Sequence, residues 1–259
     1  MPEAPSYVPG HGLLRDKIVL VTAAAGTGIG FATAKRAVEE GATVVVSDWH
    51  ERRLGEAAEQ LAQISGEKPL AVPCDVRSED QVGALFDAVY EQHGRLDVLV
   101  NNAGLGGEVA LADMTDEQWS SVLEVTLYGT MRCTRAAVRR MTAAGSGVIV
   151  NNASVVGWRA QAGQAHYAAA KAGVMALTRC VAMEVAREGV RINAVAPSLA
   201  MHPFLAKVSS DEFLASLAEK EAFGRAAEVW EVANVIVFLA SDYSSYMTGE
   251  VVSVSSQHP

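Results

Sequence analysis

Thr22-Ala23-Ala24-Ala25-Gly26-Thr27-Gly28-Ile29-Gly30 follows the apolar run at residues 18–21 and leads straight into a helical pattern over residues 29–40. Its glycines permit conformations and close approaches that a Cβ forbids, and they bring backbone N–H groups to the positive end of a helix. Strand, glycine turn and helix in that order form a cradle for a pyrophosphate. Thr22, Gly26, Thr27, Gly28, Ile29 and Gly30 are therefore candidate cofactor-binding residues. Asp48 closes the second apolar run 18 residues past Gly30, close to the roughly 20-residue offset at which an acid reaches the adenosine ribose hydroxyls. Its carboxylate repels a 2′-phosphate, and no Lys or Arg lies in the glycine turn, so NAD is the expected cofactor and NADP the less favoured one. A competing reading makes Asp48 a helix N-cap.

Outward from this turn, short runs rich in Val and Ile recur at 43–47, 70–73, 98–100, 148–150, 191–194 and 251–254. With 18–21 they make seven strands, continuous rather than alternating in polarity, as strands covered on both faces are. Helical patterns lie between them near 29–40, 51–64, 78–93, 116–143, 164–188 and 228–240. The order predicts an α/β fold, a Rossmann-type three-layer sandwich on a seven-stranded parallel sheet. Residues 1–12 read as an N-terminal extension and 13–259 as a single nucleotide-binding domain. Residues 198–223 break the alternation and read as an insertion over a substrate pocket, weakly helical around 211–220.

The chain has 259 residues, half of them apolar, enough to bury one sizeable core. With 21 basic against 30 acidic residues its net charge is -9, which repels nucleic acid and anionic membranes. Cys74, Cys133 and Cys180 lie far apart in no C-x-x-C spacing, and the six histidines show no ligand pairing, so neither disulfide nor metal is expected. Residues 1–11 contain three prolines and no apolar run, unlike a signal peptide or membrane anchor. A cytoplasmic location fits.

Ser154 ends the fifth strand, Tyr167 follows 13 residues later, and Lys171 stands one helical turn past Tyr167. A phenol is a poor base at neutral pH, but an adjacent ammonium favours its anion. Tyr167 is thus the expected acid/base, Lys171 the group that lowers its pKa, and Ser154 the donor that orients a substrate oxygen. A Tyr and a Lys four apart are common on any helix, and the pair carries weight only beside Ser154 and the glycine turn.

Together the Gly26-Thr-Gly28-Ile-Gly30 turn, Cys74-Asp75-Val76, Asn101-Asn102-Ala103-Gly104, Ser154 and Tyr167-Ala-Ala-Ala-Lys171 resemble the short-chain dehydrogenase/reductase family. The resemblance runs from Leu14 to Ser255. It implies an oxidoreductase passing a hydride between NAD(H) and a secondary alcohol or ketone, commonly as a homotetramer, with a homodimer the other expectation. It places Asp75 near the adenine, Asn101 and Gly104 around the adenosine side, and Lys171 also on the nicotinamide ribose, with Val76, Asn102 and Ala103 among the cofactor-binding residues. Pro197 and Ser198 fall where the family meets the nicotinamide. The chain departs from the family at Ala23 for a glycine, in a turn one residue longer, and at Thr126 for the catalytic Asn, where a hydroxyl partly substitutes. Ser198 and His202 replace a Gly and a Thr.

Variable loops in this family line the substrate pocket. Here Trp158, Met201, Phe204 and Leu205 point to a hydrophobic or alicyclic substrate, Arg159 to an anionic group on it, and His202 to a contact with the substrate or the nicotinamide carboxamide. The stretch Ser198-Leu-Ala-Met-His202-Pro-Phe204 and the Ser-Gln-His-Pro terminus are similar to actinobacterial members linked to steroid-ring breakdown. Two alternatives remain. One is a reductase of 3-oxoacyl thioesters on CoA or acyl carrier protein. The other is a catalytically weak nucleotide-binding scaffold.

Overall fold

The structure, a computed structural model, describes residues 4–201 and 211–256. Seven strands form one parallel sheet: β1 (Ile18–Thr22), β2 (Thr43–Asp48), β3 (Leu70–Pro73), β4 (Val98–Asn101), β5 (Gly147–Asn152), β6 (Val190–Pro197) and β9 (Val251–Val254), in the order β3-β2-β1-β4-β5-β6-β9. Helices α1 (Ile29–Glu39), α2 (Glu51–Ser65), α3 (Glu79–His93), α5 (Gly129–Ala144), α6 (Ala165–Val185) and α8 (Val229–Ala240) cover its two faces. This is the Rossmann-type sandwich that the runs of valine predict.

Alternation along each strand feeds two cores. On β1, Val19 and Val21 pack with Ala34, Leu54 and Ile236 on the α1, α2 and α8 side, while Leu20 packs with Phe86, Cys133 and Ile149 on the other. Local signals set the helix ends. The Ser78 hydroxyl accepts from the Gln81 amide at the start of α3, and Gly66, Gly94 and Gly145 close α2, α3 and α5 in the left-handed conformation.

Strand β1 pairs with β2 on one side and β4 on the other, so the winding direction reverses between β1 and β4. A crevice opens at such a reversal, beyond the carboxyl ends of the strands. The carboxyl ends here are Thr22, Asp48, Asn101, Asn152 and Pro197, so the strands that carry the glycine turn, Asp48, the Asn101–Gly104 stretch, Ser154 and Pro197 all end on one edge.

Two elements differ from expectation. The helix over 116–143 is broken into α4 (Asp116–Leu123), a single π-helical turn (Glu124–Tyr128) and α5. A single five-residue π turn is shorter than the roughly 11–18-residue span over which apolar periodicity is read, so the pattern does not report it. Outside the main sheet, β7 (Ala200–Met201) and β8 (Ala227–Glu228) pair as a two-residue ribbon on either side of α7 (Asp211–Ala218). Near the N-terminus, Tyr7 packs edge-on against Trp230 with centroids 5.4 Å apart, and the amides of His11 and Leu13 donate to Glu40. Among the described residues no helix is long and apolar enough to cross a membrane.

Candidate active site

The glycine turn is held from both sides. The Thr22 hydroxyl accepts from the amides of Asn102 (3.0 Å) and Ala103 (3.2 Å), and the Asn102 side-chain amide donates to the carbonyls of Ala23 (3.1 Å) and Thr22 (3.3 Å). Ala23 sits at φ +49°, in the left-handed region that glycine enters without strain. At Gly30 a Cβ would lie 2.3 Å from the Ala23 oxygen and 2.4 Å from Asn102 Nδ2, whereas at Gly26 and Gly28 it would meet none of the described residues within 4 Å. The third glycine therefore serves close packing, and the first two border open space. Gly28 caps α1 with no side-chain bond to its first-turn amides, beside exposed Thr27. A cradle open at two glycines, in front of an uncapped helix N-terminus, fits a dinucleotide pyrophosphate.

Asp48 is buried at the end of β2. One carboxylate oxygen accepts from the His50 amide (2.9 Å) and the other from the Ala25 amide of the glycine turn (3.3 Å). The helix N-cap is His50, so the capping reading of Asp48 is corrected: its carboxylate braces the turn. Asp75 pairs with Arg77 at 2.6 Å, and that guanidinium holds its carboxyl below the usual carboxylate range. Val76 is buried where α5 begins, so close that a Cβ on Gly129 would lie 2.5 Å from it. Asn101 is corrected too. It is 2% exposed, and its amide donates inward to Thr134 (3.0 Å) and Asn151 (2.9 Å), away from the crevice where an adenosine would lie.

Ser154 follows β5 and opens a short 3-10 turn (Val155–Gly157). Its Oγ accepts from the Val156 amide and lies 3.4 Å from the Pro197 carbonyl. Helix α6 then brings Tyr167 and Lys171 back to the same edge. Ser154 hydrogen-bonds Tyr167, and Lys171 Nζ lies 5.6 Å from the Tyr167 ring centroid and donates to the Asn152 carbonyl at 2.5 Å. Across the gap, a Cβ on Gly104 would lie 3.5 Å from Lys171 Nζ, and one on Gly106 3.8 Å from the Tyr167 ring.

Desolvation governs both groups. Burial lowers Lys171 to about 8, and burial raises Tyr167 above its ordinary value, opposed by the bond from Ser154. In the protein alone, loss of water around the phenol is the larger effect. Thr126 is fully buried in the π turn. Its hydroxyl accepts from the Leu105 amide (2.9 Å) and donates to the Leu105 carbonyl (3.1 Å).

Ser154 and Tyr167 border a cavity of about 560 Å³ that also takes in Ile29, Asn152, Pro197 and Ser198. Arg159 stands in its wall as expected, with Leu199, Leu217, Glu108 and Lys220, which sequence reading did not single out. Trp158 does not: it is 45% exposed on the outer side of the 3-10 turn, which apolar character alone does not reveal. Met201 lies half-buried in β7, outside the wall. His202, Phe204 and Leu205 lie outside the described residues. No group of three or more His, Cys, Asp or Glu among the described residues is arranged to hold a metal. The residue that sequence reading missed is Asn152, two positions before Ser154, whose only signal was its place at the end of a strand.

Residues 23–256 match the family model described as enoyl-(acyl carrier protein) reductase. The chain belongs to the short-chain dehydrogenase/reductase family. It is 64% identical over 257 residues to (5R,7aS)-5-hydroxy-7a-methyl-1-oxo-2,3,5,6,7,7a-hexahydro-1H-indene-carboxyl-CoA reductase of Mycobacterium tuberculosis, covering 99% of this chain and 98% of that protein. It is 42% identical to cis-4-hydroxycyclohexanecarboxylate dehydrogenase of Sinomonas cyclohexanicum, over 92% of this chain and 95% of the relative. The crystal structure of a short chain dehydrogenase from Mycobacterium smegmatis superposes with a TM-score of 0.88 at 61% identity, covering 99% of both chains. The chain is accordingly an oxidoreductase of the short-chain type.

Proposed function

We propose that this enzyme transfers a hydride between NAD(H) and a secondary alcohol or ketone on an alicyclic ring that bears a carboxyl group or its CoA thioester. The observation that carries the reading is the meeting of Ser154, Tyr167 and Lys171 beside a cavity that reaches Ile29 of the glycine turn. When bound, the nicotinamide supplies or accepts the hydride. Ser154 holds the substrate oxygen by a hydrogen bond, and Tyr167 gives or takes the proton at that oxygen. Lys171, with its ammonium beside the ring, favours the phenolate as the proton leaves.

Ring and anion each have a matching surface. Ile29, Val155, Val156, Leu199 and Leu217 offer apolar wall, and Arg159 and Lys220 offer cations to a carboxylate or to CoA phosphates. The names of the two relatives combine an alicyclic ring with a carboxyl or carboxyl-CoA group, which supports the same class. Asp48 at the end of β2 supports NAD over NADP. The enzyme would work in the cytoplasm as a homotetramer or homodimer, which light scattering on the purified protein checks.

Titration with NADH and NADPH, followed by turnover of a ring-ketone CoA thioester by the native protein and by Tyr167→Phe, tests the reading. Tight NADH binding, turnover by the native protein and none by Tyr167→Phe with unchanged NADH affinity are expected. Turnover that survives in Tyr167→Phe defeats it. A preference for NADPH with turnover of 3-oxoacyl thioesters would move the assignment to the second reading, which 39% identity to a 3-oxoacyl-[acyl-carrier-protein] reductase of Thermotoga maritima supports.

A further inference from the structure

Asn152 touches both halves of the site. Its side-chain Nδ2 donates to Asn102 Oδ1 at 2.9 Å, and its backbone carbonyl accepts from Lys171 Nζ. The orientation of the amides is forced. The carbonyls of Thr22 and Ala23 can only accept, so Asn102 must turn its NH₂ toward them and its oxygen toward Asn152. Asn152 must then present its own NH₂ to Asn102. Its Oδ1, buried and without a partner among the described residues, is left as an acceptor on a residue of the cavity wall. Hydrogen bonds thus run without a break from Ala23 at its left-handed φ, through Asn102 and Asn152, to the Lys171 ammonium.

We infer that Asn152 is a positioning residue, which fixes the Lys171 ammonium relative to the glycine turn by anchoring, through its side chain, the carbonyl that Lys171 uses. The inference rests on the proposed reading for its place in catalysis but not for its physical content. Lys171 is 3% exposed, so a misplaced ammonium has no water to turn to, and the carbonyl at 2.5 Å is the hydrogen-bond acceptor that the described residues give it. The titratable group facing it is the Tyr167 phenol, and Gly104 and Thr126 border it from the opposite loop and the π turn.

Two substitutions read this with opposite signs. Asn152→Leu keeps the branching of the side chain and removes the bond to Asn102, freeing the carbonyl and weakening its hold on the ammonium. Asn152→Asp keeps the shape but sets oxygen against oxygen at Asn102 and places a negative charge on the residue that Lys171 touches. Lysine side-chain NMR, with Lys171→Arg identifying the signal, reads the titration without turnover. The native midpoint is expected near 8, lower in Asn152→Leu and higher in Asn152→Asp. Loss of about tenfold in kcat at pH 7, with a smaller change in KM, is expected for Asn152→Leu.

Midpoints unchanged in both variants while the melting temperature falls would make Asn152 a packing residue and overturn the inference. Where Asn152→Leu does not fold, the isosteric Asn152→Asp decides alone. The outcomes separate from those of the proposed function. Midpoints that move in a protein without turnover sustain the positioning and defeat the proposed reaction, whereas unmoved midpoints in an enzyme that Tyr167→Phe silences defeat the positioning alone.

Discussion

The Thr126 hydroxyl bonds both main-chain groups of Leu105, accepting from its amide at 2.9 Å and donating to its carbonyl at 3.1 Å. A side chain so engaged has its single proton and one lone pair committed, and it holds the 102–107 loop rather than a relay water. That loop passes Lys171 at Gly104 and the Tyr167 ring at Gly106. Thr126→Val keeps the shape and strands both groups of Leu105. Loss of about 1–2 kcal/mol in urea unfolding is expected, with reduced turnover, because part-buried polar groups lose their partner. Thr126→Ser should restore both. Native stability and turnover in Thr126→Val would return the hydroxyl to a peripheral role.

At Ala23 the cost of departing from glycine falls on the backbone. An L-residue in the left-handed region loses roughly 1–2 kcal/mol to contact between its Cβ and the following carbonyl, partly offset by the greater freedom of an unfolded glycine. The Ala23 oxygen is fixed by Asn102, so the turn has no relaxed alternative. Ala23→Gly is expected to stabilise the protein by about 1 kcal/mol and to raise the melting temperature by about 2–4 °C. A fall in melting temperature would mean that the φ of +49° costs less than the entropy it saves.

How much of this was legible follows from the range of each signal. The strands could be read because burial on both faces leaves runs of valine, and Ser154, Tyr167 and Lys171 because their spacing is local to one strand and one helix turn. Asn101 and Asn102 could not be told apart by composition. Successive residues of a strand face opposite ways, and the structure turns Asn101 inward to Asn151 and Asn102 toward the glycine turn. Trp158 and Arg159 are equally adjacent, yet only Arg159 reaches the cavity. Asn152 and Thr126 act on partners 50 and 21 residues away in the chain, and no local pattern encodes such a pairing.

Burial of Lys171 carries a pH dependence of definite sign. Its ordinary value of 10.5 is lowered to about 8 in the folded protein. Between those values the unfolded chain still binds the proton and the folded one has released it, so stability rises with pH across that window. Below about pH 8 the cost of the buried ammonium is felt in full, and above about 10.5 it has gone. Lys171→Met removes the group, and its stability relative to the native protein should follow the same course in reverse. A gap on the order of 3 kcal/mol in favour of the variant is expected at pH 7, less the bond lost at the Asn152 carbonyl. Urea unfolding of both proteins at pH 7, 8, 9 and 10 measures that gap directly, and other groups cancel in the difference. A gap that narrows toward pH 10.5 locates the ammonium in the desolvated site beside Tyr167, whereas a gap that stays constant would show that water reaches Lys171 and that burial does not tune it.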